Sequence, residues 1–257
     1  MLDSATEKWS HDGPRADLRV AAAAVVGCQV VAVTAGDQSG AIANACLVVV
    51  LAAAASSERS GESSRTAYLV LAFLPVLALA RVAMPQNSIP NDLWELVVAA
   101  PLVAGSVVLV AIVDPGVVRD ARTRLPLRRQ LAVASVGAPA GLLAFGVAHG
   151  VGEGADGSGF AAATIVVLFM AGVFDELLFR GLLQLSLARI YGQGAFIVAA
   201  LLYTAMLLGN SATTVVLGGL LGLGFGFLVA RSSALLAVAV AHGTANVVWL
   251  VLARDLF

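Results

Sequence analysis

Asp175-Glu176-Leu177-Leu178-Phe179-Arg180 places three charged side chains inside a long apolar stretch, flanked by residues 165–173 on one side and 181–190 on the other. In a bilayer, a charge near the midplane is costly unless it pairs or faces a polar cavity, so such a cluster marks a functional site by default. Glu176 and Arg180 are spaced i, i+4, share one helix face and can pair. Asp175 points about 100° away and is left for another partner. The competing reading is a network that only locks its helix to its neighbours. It is disfavoured because a buried charge triad costs more than a packed apolar seam. His242 and Asn246 form a second i, i+4 constellation within residues 235–252. Each could donate a hydrogen bond into a cavity, or merely to a neighbouring helix. His149 falls at the end of an apolar run, and His11 in the polar N-terminal tail.

The elements that must hold these residues are membrane helices. The chain has 257 residues, 60% hydrophobic and only 12% charged, against about 25% charged in soluble domains. Its apolar runs are long enough to cross a bilayer as helices. They lack the alternation of outer-membrane strands. The expected fold is therefore an all-α polytopic membrane bundle of eight to nine spans, about 19–36, 40–56, 66–84, 93–113, 131–149, 160–190, 193–209, 213–231 and 234–252. Basic residues support the count. With the N-terminus inside, Lys8, Arg15, Arg19, Arg59, Arg65, the cluster from Arg119 to Arg129, Arg189 and Arg231 fall on the inner side, and only Arg81 and Arg254 on the outer. This is the positive-inside bias, and it predicts a cytoplasmic N-terminus. One lysine among fifteen basic residues, with heavy Ala, Val and Gly usage, points to a bacterial source and hence the inner membrane. The polar, acidic residues 1–18 before the first run read as a retained tail rather than a cleavable signal.

Depth joins the two constellations. Asp175 lies about 22 Å from the inner end of its helix, and His242 and Asn246 about 12 and 18 Å from the inner end of theirs. Both sets are expected at mid-bilayer depth, facing one cavity. The Gly-rich stretch 150–159 reads as a flexible linker. It divides an accessory set of helices, 19–149, from a working core, 160–252, that holds every intramembrane polar group of interest. Its acidic residues have no EF-hand order for calcium. Gly218, Gly222 and Gly226 give one helix a smooth face for close packing; no strand precedes them and no Gly-Lys-Ser/Thr follows, as a phosphate loop needs. Cys28 and Cys46 lie in apolar runs without metal-ligand spacing and read as small hydrophobes. A net charge of −1 gives no reason to expect a nucleic-acid partner. The lipid bilayer is the expected partner.

The segment from Phe174 to Leu183 resembles the Glu-Glu-x-x-x-Arg signature of the CAAX protease and bacteriocin-processing family of intramembrane glutamic endopeptidases. Arg231-Ser232-Ser233-Ala234-Leu235, followed by His242 and Asn246, resembles the last motif of that family, a His-x-x-x-Asn after a basic, small-residue turn. The similarity covers about residues 165–250. It implies a peptide-bond hydrolase acting on a membrane-associated peptide or protein, with no metal and no cofactor. Carried over by position, Asp175 is the water-activating carboxylate, Glu176 and Arg180 the supporting pair, and His242 and Asn246 the oxyanion donors.

Two departures follow. Asp175 stands where the family has Glu, which retracts the carboxylate by about one methylene; a misplacement of about 1 Å can cost about 10²-fold in rate. Leu207 stands where the second motif, Phe-x-x-x-His, has its His. The aligned residues run from Tyr203 to Leu207, and losing a general base commonly costs about 10²–10⁴-fold. Asn210 and Tyr203 can hydrogen-bond but are poor bases at neutral pH. Two readings of function stand: a weakened or specialised peptidase, and a pseudo-protease that binds a membrane segment as an immunity, regulatory or scaffolding protein. A small transporter is a third. It fits less well, because prolines fall in one half of the chain and charges in the other, whereas transporters repeat broken helices in both.

Overall fold

The computed structural model describes residues 13–57, 62–83, 100–120, 125–150 and 162–255. Outside them fall the tail with His11, the expected start of the fourth helix, Arg122 and Arg124 of the basic cluster, and the Gly-rich stretch. Among the described residues the fold is all-α, without a β-strand. Long Ala-, Val- and Leu-rich runs have no partner for their backbone groups in hydrocarbon except themselves, so they close as helices.

The first four helices are α1 (Gly13–Ala35), α2 (Asp37–Ser56), α3 (Glu62–Ala83) and α4 (Ala100–Val113). A six-residue helix, α5 (Pro115–Asp120), and α6 (Leu127–Ala134) lead into α7 (Gly137–Gly150). The core holds α8 (Ala162–Glu176), a π-helical segment (Leu177–Gln184), α9 (Leu185–Tyr191), α10 (Ala195–Met206), α11 (Ala212–Ser232) and α12 (Leu235–Asp255). Among the described residues, five stretches are long and apolar enough to cross a membrane: Asp17–Ala35, Asp37–Ser56, Ser64–Ala83, Leu127–Gly150 and Ala212–Ser232. The protein is a multi-pass membrane bundle.

The described helices follow the expected spans with local differences. The span at 131–149 breaks at Ser135 and Val136 into α6 and α7. Pro139 has no N–H to return to the Ser135 carbonyl, so the ladder cannot run through. The span at 193–209 stops at Met206, and α5 had no counterpart in the sequence reading. Asp114 caps α5: its Oδ1 accepts from the Gly116 N–H at 3.1 Å. The other oxygen, Oδ2, accepts from Thr66 at 3.2 Å and pairs with Arg189. Three helices are thereby tied at one end of the bundle. At the other end, Arg81 of α3 donates to the Met206 carbonyl of α10 at 3.2 Å.

One large apolar cluster joins α1, α3, the π segment and α10 through residues such as Val25, Leu71, Leu183 and Leu202. A smaller one, with Phe225, Leu235 and Val238, fills the angle between α11 and α12. The site lies where these two clusters meet.

Candidate active site

Close helix packing sets the site. A methyl group on Gly172 of α8 would lie 2.6 Å from the Gly243 nitrogen of α12, and one on Gly243 would lie 2.6 Å from the Phe169 carbonyl oxygen. Only glycine lets the two backbones come this near, as small residues do at membrane helix interfaces. On the far side of α12, Gly141 of α7 makes the same kind of approach, 2.6 Å from the Ala245 carbonyl oxygen to its would-be methyl. α12 is therefore clamped from both sides.

That clamp brings the two constellations together. Glu176 lies one turn beyond Gly172, and His242 sits beside Gly243. Glu176 Oε1 and His242 Nδ1 are 2.9 Å apart, and both side chains are buried. A carboxylate in this place accepts when the imidazole carries its proton on Nδ1. The antiparallel run of α8 and α12 also places Asn246, whose Nδ2 donates to the Leu168 carbonyl at 3.3 Å.

On the other side of Glu176, Oε2 lies 3.4 Å from Arg180 Nε. Both side chains are fully buried. The guanidinium reaches on to α11, where Nη2 donates to the Gly222 carbonyl at 2.8 Å. Gln184, one turn further, repeats the pattern on Gly226 at 3.0 Å. The glycine stripe of α11 thus does more than allow helices to pack. It bares carbonyls to two polar side chains, and a methyl at Gly222 would lie 3.1 Å from Arg180 Nη2 and 3.0 Å from Tyr203 Cδ1. The π segment supplies the geometry. Its wider turn presents Arg180 and Gln184 to α11 while Glu176, just before it, faces α12. Arg180 Nη1 and Gln184 Oε1 remain buried without a hydrogen-bond partner among the described residues. Each such atom costs about 1–3 kcal/mol.

Asp175 faces elsewhere. It lines a pocket of about 110 Å³ with Tyr203 and Leu207 of the core, Leu77 and Arg81 of α3 and Val103 of α4. A pocket of this size holds several waters. Glu176, Arg180, His242 and Asn246 do not line it. The residues singled out from sequence therefore form two neighbouring groups: a buried Glu176–Arg180–His242 network, and an Asp175 pocket with Leu207 in its wall.

Tyr203 stands between them. It lines the pocket together with Asp175. Its ring meets His242 edge-on at 6.1 Å and Phe179 at 5.1 Å, and the Arg180 guanidinium lies 5.0 Å from its centroid. Sequence reasoning weighed Tyr203 as a hydrogen-bonding group that is a poor base, and missed this bridging place. It also missed Gln184, although Glu176, Arg180 and Gln184 form an i, i+4, i+8 stripe that could have revealed it. Arg81 carried no local signal, since only the fold brings α3 to the pocket.

No curated protein and no solved structure matches the chain. Residues 157–248 match the family model described as type II CAAX prenyl endopeptidase Rce1-like. The matched segment contains α8 to most of α12, with both motifs, and is similar to the CAAX-protease family over that stretch.

Proposed function

We propose that the protein is an intramembrane endopeptidase that hydrolyses peptide bonds in or beside the bilayer, with weakened water activation. The observation that carries this reading is the contact of Glu176 with His242 at 2.9 Å, beside a pocket lined by Asp175. A buried network with unsatisfied polar atoms is a poor choice for stability alone, and chemistry is the better reason to keep it.

In this reading Asp175 takes the proton of a pocket water, whose oxygen attacks the scissile carbonyl. Tyr203 orients the carboxylate. Glu176 holds His242 in the Nδ1–H tautomer, as a carboxylate does for a catalytic imidazole. A scissile carbonyl that reached from the pocket toward α12 would present its developing oxyanion to His242 and Asn246 as hydrogen-bond donors. Arg180 balances Glu176 and is itself fixed by the Gly222 carbonyl. The departing amine recovers the proton from Asp175. The basic-residue bias supports a cytoplasmic N-terminus, and the composition supports a bacterial inner membrane.

A pseudo-protease is the second reading, favoured by one observation: Leu207 lines the pocket beside Asp175, and an aliphatic wall neither holds nor deprotonates water. The protein purified in detergent and offered a peptide library separates the two. Cleavage abolished by Asp175→Ala and by His242→Ala supports the peptidase. Absence of cleavage by the wild type, with turnover gained on Leu207→His, supports the pseudo-enzyme and removes the first reading.

A further inference from the structure

The pocket sits in one half of the bundle, and the shortness of α10 is the reason. Its twelve residues, Ala195–Met206, rise about 18 Å against a hydrocarbon core of about 30 Å. The chain then turns through Leu207 and Gly209, the latter at φ 101°, before α11 begins at Ala212. Non-helical backbone at membrane depth persists only where it is buried in protein or lines a water-filled cavity. Gly209, Asn210 and Ser211 are exposed, so burial is not what sustains this turn. Met206 and Leu207, at its start, line the pocket.

The other walls agree on depth. Counted from Glu62 at the start of α3, Leu77 lies about 22 Å along the helix and Arg81 about 28 Å. Met206 lies about 16 Å along α10 from Ala195. Both counts begin at the end of the bundle tied by Asp114 and Arg189. Arg65, Arg119, Arg128, Arg189 and Arg231 lie toward that end, against Arg81 and Arg254 toward the other. Basic residues gather on the cytoplasmic side, which puts the pocket in the outer half. Its inner side is closed. One turn inward from the lining residues stand Leu74 of α3, Leu183 of the π segment and Leu202 of α10, each at most 1% exposed and all in one apolar cluster. That layer offers water no polar route.

We propose that the pocket opens to the outer face of the membrane and takes an apolar chain segment presented from that side. The apolar class follows from walls such as Leu77, Val103, Phe174 and Leu178. The choice of a peptide rests on the reading of the pocket as a peptide site, and the side of entry holds whether or not the peptide is cut. The same opening hydrates Asp175 without a path through the packed inner layer.

The test is thiol accessibility in the full chain, in right-side-out and inverted membrane vesicles. The two native cysteines, Cys28 and Cys46, are first replaced by alanine. Single reporters are then placed in the pocket, as Met206→Cys and Leu77→Cys, and in the layer beneath it, as Leu183→Cys. Asp37→Cys, exposed between α1 and α2, and Arg128→Cys, exposed on α6, mark the two faces. The reagent is a charged, membrane-impermeant methanethiosulfonate. Both pocket thiols are expected to react from the Asp37→Cys side at least about tenfold faster than from the other, because reactivity follows access. Leu183→Cys should react from neither. Two pocket reporters on opposite walls keep the result readable if one variant misfolds. An apolar peptide supplied on the outer side should protect both pocket thiols and leave Asp37→Cys unchanged. The proposal is overturned if the pocket thiols react from the Arg128→Cys side, if neither reacts while Asp37→Cys does, if Asp37→Cys labels on the cytoplasmic face, or if peptide protects only from that face. Outward labelling that no peptide slows removes the peptide-site reading and leaves the outward opening standing. Protection without cleavage removes the peptidase reading alone.

Discussion

Replacing Gly172 by Ala tests the link between packing and chemistry. The new methyl would sit 2.6 Å from the Gly243 nitrogen and 2.8 Å from the His242 carbonyl carbon, both backbone atoms of α12. Neither can rotate away, so α12 must retreat by about 0.8 Å to restore ordinary contact. The Glu176–His242 hydrogen bond then stretches from 2.9 Å to about 3.7 Å, past the range in which it counts as one. The Asn246–Leu168 bond, already 3.3 Å, fails first. Overpacking of this kind costs about 1–3 kcal/mol. Misplacing a catalytic group by about 1 Å costs about 10²-fold in rate. The assay is thermal unfolding of the detergent-solubilised protein, paired with nitrogen NMR of its histidines. The chain has three, so His242 can be assigned by substitution. A lowered melting temperature with loss of the Nδ1–H signature at His242 is expected. Gly172→Ala with unchanged melting and an unchanged His242 signal would refute the close approach and the inference that it holds the dyad together.

Other outcomes follow from the same geometry. Arg180→Leu should destabilise the fold by about 3–5 kcal/mol, because Glu176 loses its buried counter-charge. Arg180→Lys should rescue little, since one ammonium cannot span Glu176 and the Gly222 carbonyl; melting curves of both variants check this. Leu207→His should raise peptide hydrolysis by about 10²-fold or more if a base beside Asp175 is what the pocket lacks, and turnover of a cleaved peptide reads it. Asp114→Ala should lower stability by about 1–2 kcal/mol through the lost α5 cap, and it should loosen α3 from α9, seen as faster proteolysis near residue 120.

The helices were legible because their apolar runs match bilayer thickness, a constraint that acts locally and leaves little choice. Glu176 with Arg180 was legible for the same reason, since i, i+4 neighbours meet on any α-helix. Residue order did not reveal the π turn, which nothing in Leu177 to Gln184 demands by type alone. That turn decides that Arg180 and Gln184 face α11 while Glu176 faces α12. The glycines show the difference well. Their four-residue spacing announced a smooth face on α11, but not that the face would receive a guanidinium and an amide rather than another backbone.

Sequence by itself determined that this chain is a bundle of membrane helices, which residues carry charge within the apolar runs, and that Asp175 and Leu207 depart from the pattern of the family it resembles. Tertiary structure alone decided which of them meet. Glu176 finds His242 because Gly172 and Gly243 let α8 and α12 touch. Asp175, one residue earlier, turns instead to a pocket whose far wall is α3, with Arg81 at its rim. Side-chain type and spacing are written along one helix, whereas a cavity between helices is a property of their crossing, and crossing is set by contacts between residues far apart in the chain.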